Sequence, residues 1–70
     1  MTNVVAPVAG RIVDLLVEVG AEVEEGDELA VIEALKMENT IYARCNGRVT
    51  GIQVKKGDRV EDDTLLLVIE

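Results

Sequence analysis

An all-β fold of two small sheets packed face to face is what this 70-residue sequence predicts, and three observations carry the prediction. The first is an internal repeat: shifted by 37 residues, Val4 to Glu33 lies over Ile41 to Glu70 without a gap, with eleven identities in thirty positions. The second is a series of short runs rich in Val, Ile and Leu, separated by glycines and acidic turns. The third is that no stretch sustains helical apolar spacing except Glu28 to Met37, where good helix formers dominate. The repeat overrules that exception, because its partner, Leu65 to Glu70, is too short and too β-branched for a helix.

The identical pairs are Ala6/Ala43, Gly10/Gly47, Arg11/Arg48, Val17/Val54, Gly20/Gly57, Val23/Val60, Glu24/Glu61, Leu29/Leu66, Val31/Val68, Ile32/Ile69 and Glu33/Glu70. Two halves this alike share one backbone path, which implies a pseudo-two-fold axis. In each copy a short strand comes first, Val4 to Ala6 or Ile41 to Ala43. It leads to a turn ending at Gly10 or Gly47, where glycine serves positive φ or a close backbone approach. The main strands follow, Arg11 to Val17 and Arg48 to Val54. Alternation in the second is imperfect, so the strand is assigned but not its buried face. Gly20 and Gly57 mark a turn, Val23 and Val60 a very short strand, and acidic turns precede the last strands, Leu29 to Glu33 and Leu65 to Glu70. The chain ends are expected side by side, with the midpoint of the chain at the opposite end of the molecule.

Composition narrows the function. Seventy residues make a single domain, residues 1–70, small enough that little room remains for a catalytic cleft. There is no His, Trp or Phe, and one Tyr and one Cys, so metal clusters and Cys/His or Ser/His/Asp constellations fail on inventory. The expectation is a non-catalytic protein. The net charge of −7 and the lack of an aromatic platform argue against nucleic acid as a partner. No apolar run is long enough to span a membrane and no secretory signal opens the chain, which with the single Cys45 points to a cytoplasmic protein without membrane contact. Residues 1–35 hold eight carboxylates against Arg11, whereas residues 36–70 balance six acids with six bases. A solvated acidic loop that aids solubility explains this better than a patch steering a basic partner.

The chemistry is sought at Glu33 to Met37, the midpoint. Leu29 to Glu33 and Asn39 to Ala43 read as strands, so a hairpin is implied with Lys36 near its tip, a primary amine on a long flexible stem. An exposed lysine at a hairpin is ordinarily only solubilising. Here the apolar neighbours Leu35 and Met37 would be exposed with it, which is costly unless something reads or covers them.

The motifs Ala-Pro-Val-Ala-Gly at Ala6 to Gly10, Val19-Gly20, Gly26-Asp27, Ile32 to Asn39, and then Gly47, Lys56-Gly57-Asp58 and the closing Leu-Val-Ile carry a resemblance over Val4 to Glu70. The chain resembles the biotinyl domain of biotin carboxyl carrier proteins. That resemblance implies a flattened barrel, or sandwich, of two four-stranded antiparallel sheets with pseudo-two-fold symmetry. It implies an Ala-Met-Lys-Met motif on Ala34, Leu35, Lys36 and Met37, with biotin joined covalently to Lys36. The implied partners are a biotin protein ligase, which would read Leu35 and Met37, and the biotin carboxylase and carboxyltransferase of a biotin-dependent carboxylase or decarboxylase, between which the carboxyl group is carried.

The motif departs from the family at Leu35, where Met is usual. Leu and Met are similar in volume, so slower ligase recognition is expected rather than loss of acceptance. Only Val17, Glu18 and Val19 separate the second strand from Gly20, so no protruding thumb is expected. Glu33 and Glu38 could contact the ligase, but Glu33 recurs at Glu70, which has no lysine, and a structural role is the stronger reading. Cys45 lies opposite Val8 in the repeat and is expected to be a small core residue. Two other classes remain: a lipoyl carrier, whose family usually places Asp before the lysine and Ala after it, and an unmodified assembly module of the same shape. Leu35 and Met37 favour biotin.

Overall fold

The computed structural model describes residues 1–70 as eight strands with no helix. They are β1 (Thr2–Val5), β2 (Gly10–Leu15), β3 (Glu22–Val23), β4 (Glu28–Ala34), β5 (Met37–Tyr42), β6 (Gly47–Ile52), β7 (Arg59–Val60) and β8 (Leu65–Ile69). All pairings are antiparallel, and two four-stranded sheets result, ordered β1-β8-β6-β3 and β5-β4-β2-β7. Moving each strand of the first copy onto its counterpart in the second converts one sheet order into the other. Each sheet takes two strands from each copy, so neither copy can form a four-stranded sheet by itself.

The registers repeat with the same fidelity. Thr2 opposite Ile69 is matched by Asn39 opposite Ile32, and Glu22 opposite Arg48 by Arg59 opposite Arg11. Even the irregularities coincide. Val13 and Thr50 are extra residues in β2 and β6, and Leu29 and Leu66 in β4 and β8. A bulge resets the two-residue side-chain period, which is why β6 alternates imperfectly and why consecutive residues such as Leu29-Ala30 and Leu66-Leu67 are all fully buried.

Every buried side chain is apolar, and the core has six symmetric pairs: Ala6/Ala43, Ile12/Val49, Val23/Val60, Leu29/Leu66, Ala30/Leu67 and Ile32/Ile69, with Ile41 unpaired. Gly10 and Gly47 meet the same demand in each copy. A Cβ on Gly10 would strike the Glu33 carbonyl oxygen and lie 2.8 Å from Ile32 Cγ2, and one on Gly47 would lie 2.5 Å from the Glu70 carbonyl oxygen and 2.7 Å from Ile69 Cγ2. Close approach, and not positive φ, is what these two glycines serve.

Boundaries shift from the sequence reading in a consistent way. The main strands stop at Leu15 and Ile52, two residues short of Val17 and Val54. There the chain bends so that Leu16 N–H donates to the Leu29 carbonyl at 2.9 Å and Gln53 N–H to the Leu66 carbonyl at 2.8 Å. The connection from β2 to β3 is as long as that from β6 to β7, so nothing protrudes as a thumb. Cys45 is half-buried at the rim of the core, with its Sγ 3.5 Å from Thr2 Oγ1, rather than within it.

Candidate functional site: the β4–β5 hairpin

β4 and β5, which share the longest ladder of the molecule, meet at a two-residue loop. Ala34 pairs with Met37, leaving only Leu35 and Lys36 in the connection. Met37 is therefore the first residue of β5, two residues earlier than the strand read from Asn39. Leu35 has φ 53° and Lys36 φ 65°, the pattern of a type I′ turn. Such turns match the strand twist, but they favour Asn-Gly because a Cβ in the left-handed region costs about 1–2 kcal/mol per residue. The ladder of six registered pairs from Glu28/Tyr42 to Ala34/Met37 holds the turn against that cost. Backbone strain of this kind is concentrated at functional sites.

The side chains around the turn are presented outward. Leu35 is 94% exposed and Met37 67%, Lys36 is exposed and Ala34 half-buried. Lys36 joins no ion pair, since Arg48 with Glu22 is the one pair within reach in the molecule. No three His, Cys, Asp or Glu side chains converge to hold a metal. What the hairpin offers is an unpaired amine on a long stem between two exposed apolar side chains. These features fit covalent attachment of a carboxylic acid through an amide at the Lys36 Nζ.

The structure brings Ala34, Leu35, Lys36 and Met37 together, as consecutive residues of one hairpin must be. Glu33 and Glu38 sit one pair below, directly opposite each other and exposed. The structural role assigned to Glu33 belongs to its carbonyl, against which Gly10 packs, and leaves its carboxylate without a structural duty. The sequence placed a hairpin here with Lys36 near its tip but did not show the left-handed two-residue form of its turn, because Leu-Lys carries no signal for that turn type. Thr2 of β1 pairs with Ile69 of β8, so these two strands bring the ends of the chain side by side.

The biotin carboxyl carrier protein of acetyl-CoA carboxylase from Solanum lycopersicum is 42% identical over 68 residues, covering 97% of both chains. The α subunit of mitochondrial methylcrotonoyl-CoA carboxylase from Oryza sativa subsp. japonica is 41% identical over 97% of this chain and 9% of its own length. Among solved structures, Kluyveromyces lactis urea carboxylase superposes with a TM-score of 0.91 at 36% identity, over 99% of this chain and 6% of that one. The chain thus spans less than a tenth of these two large carboxylases, and the part it matches carries the fold. With residues 1–69 matching the biotin–lipoyl family described as "Biotin-requiring enzyme", and a biotin carboxyl carrier protein matched end to end, the chain belongs to the biotin–lipoyl family as a domain of the biotin carboxyl carrier type.

Proposed function

We propose that Lys36 is the covalent attachment point of biotin and that the domain carries a carboxyl group between a biotin carboxylase and a carboxyltransferase. The single observation behind this reading is the unpaired Lys36 on a strained type I′ turn with Leu35 and Met37 exposed beside it. The Lys36 Nζ forms an amide with the biotin carbonyl carbon, displacing the carboxyl oxygen together with the group by which a nucleoside triphosphate has activated it. A biotin protein ligase activates that carboxyl group and removes the amine's proton, because no carboxylate of the chain is paired with Lys36. Bound there, biotin would supply a ureido nitrogen able to take up and release a carboxyl group. The chain itself adds position and reach: the β4–β5 ladder fixes the turn, the lysine stem moves, and tethering raises the effective concentration at each partner while catalysis is left to them. A lipoyl group is the second reading, disfavoured by Leu35 and Met37 at positions where lipoyl carriers usually have Asp and Ala.

Expression with a biotin protein ligase followed by intact-mass analysis tests the proposal. One biotin-sized addition is expected, absent from Lys36→Arg. A lipoyl-sized addition, no addition, or one that survives in Lys36→Arg would overturn it.

A further inference from the structure

Four exposed side chains cross the outer face of the lysine-bearing sheet in one row. Arg59 on β7 lies opposite Arg11 on β2, Arg11 opposite Glu33 on β4, and Glu33 opposite Glu38 on β5. The order of charge is two positive, then two negative, over about 15 Å at the usual strand spacing. The equivalent row on the other sheet is Glu22, Arg48 and Glu70, which alternates in sign. There Arg48 is 2.9 Å from Glu22, and the Glu70 carboxylate accepts from Thr50 Oγ1 at 3.0 Å. The same backbone positions therefore carry a row of alternating sign on one sheet and a segregated row on the other. None of the four segregated side chains forms an ion pair.

Like charges directly opposite one another destabilise a sheet, so the segregated row breaks a local rule that its mirror obeys. Departures of this kind without a structural gain mark functional surfaces. The row also sits one residue pair below the Ala34/Met37 pair that closes the Lys36 turn. We infer that Arg59, Arg11, Glu33 and Glu38 form a docking strip for the biotin carboxylase that receives the Lys36 arm, a protein surface presenting carboxylates to the arginines and basic side chains to the glutamates. This rests on the carrier reading above. A small anion would satisfy the arginines and leave the glutamates repelling one another, whereas an extended surface of complementary order satisfies both and fixes the orientation in which Lys36 arrives.

The test uses the biotinylated 70-residue chain as substrate of a biotin carboxylase, with ligation and carboxylation rates measured separately. Arg59→Glu removes the like-charge pair and gives that position the sign found at Glu22, so folding is preserved. It is expected to raise the KM for the carrier about three- to tenfold with kcat within about twofold, and the KM of the unsubstituted carrier should rise with salt. Glu22→Arg, which builds two adjacent arginines on the other sheet, should leave that KM unchanged. An unchanged KM in Arg59→Glu, an equal rise in Glu22→Arg, or an effect confined to ligation would overturn the docking strip. Failure of the unsubstituted chain to accept biotin would overturn the carrier reading instead, and it would be seen before any KM is measured.

Discussion

Leu35 and Lys36 occupy a backbone conformation that suits neither, and the strain is separable from the chemistry. Replacing both, Leu35→Asn with Lys36→Gly, supplies the favoured residues of a type I′ turn and should stabilise the domain by about 1–2 kcal/mol, raising its thermal midpoint by several degrees. The same variant should accept no biotin, so a thermal melt and a mass measurement together test the trade. Leu35→Met is expected to leave stability within about 0.5 kcal/mol, because the side chain is 94% exposed, and to change only the rate of ligation. A large drop in the melting temperature would mean that Leu35 packs against something. Lys36 and its neighbours were legible as a motif, but their left-handed backbone was not. Asp63 shows why: it holds φ 67° where the first copy has Gly26 at φ 94°, since more than one residue type can meet the same backbone demand.

Strands and bulges carry the next level of control. At Gly10 the Glu33 backbone and Ile32 leave no room for a methyl group, and at Gly47 the Glu70 backbone and Ile69 do the same. Gly10→Ala and Gly47→Ala should each cost about 2–4 kcal/mol, measured by urea denaturation. Gly51 is different, because a Cβ there meets only Gln53 Nε2 at an ordinary 3.7 Å, and its counterpart Asp14 already has one. Gly51→Ala should therefore be neutral or stabilise β6 by up to about 1 kcal/mol. A cost at Gly51 as large as at Gly47 would refute the steric account. The eight strands were legible from the repeat and the β-branched runs, whereas the bulges at Val13, Leu29, Thr50 and Leu66 were not. An inserted residue changes which face a side chain takes without changing the composition of the run.

For the molecule as a whole, the interlocked topology makes the two copies mutually dependent. Leu29 and Leu66 are fully buried at matching positions, so Leu29→Ala and Leu66→Ala should each cost about 2–5 kcal/mol and agree within about 1 kcal/mol. That is much of the total stability of about 5 kcal/mol expected at the lower end for a small domain. Because each sheet needs strands from both copies, unfolding should be one transition, with Tyr42 fluorescence and far-UV circular dichroism coinciding in urea. Two separated transitions would show that one copy survives alone.

By itself the sequence determined the repeat, the all-β class, the apolar core and the lysine motif at Glu33 to Met37, because these are recorded in residue type and spacing. Only the tertiary structure decided the rest. It placed Arg59 and Arg11 in one row with the Glu33/Glu38 pair of the hairpin, although each arginine lies far from that hairpin along the chain, because strand order and register are properties of long-range pairing. It also reduced the Lys36 connection to two residues held at positive φ, because the pairing of Ala34 with Met37 sets the turn whatever the local preference of Leu and Lys.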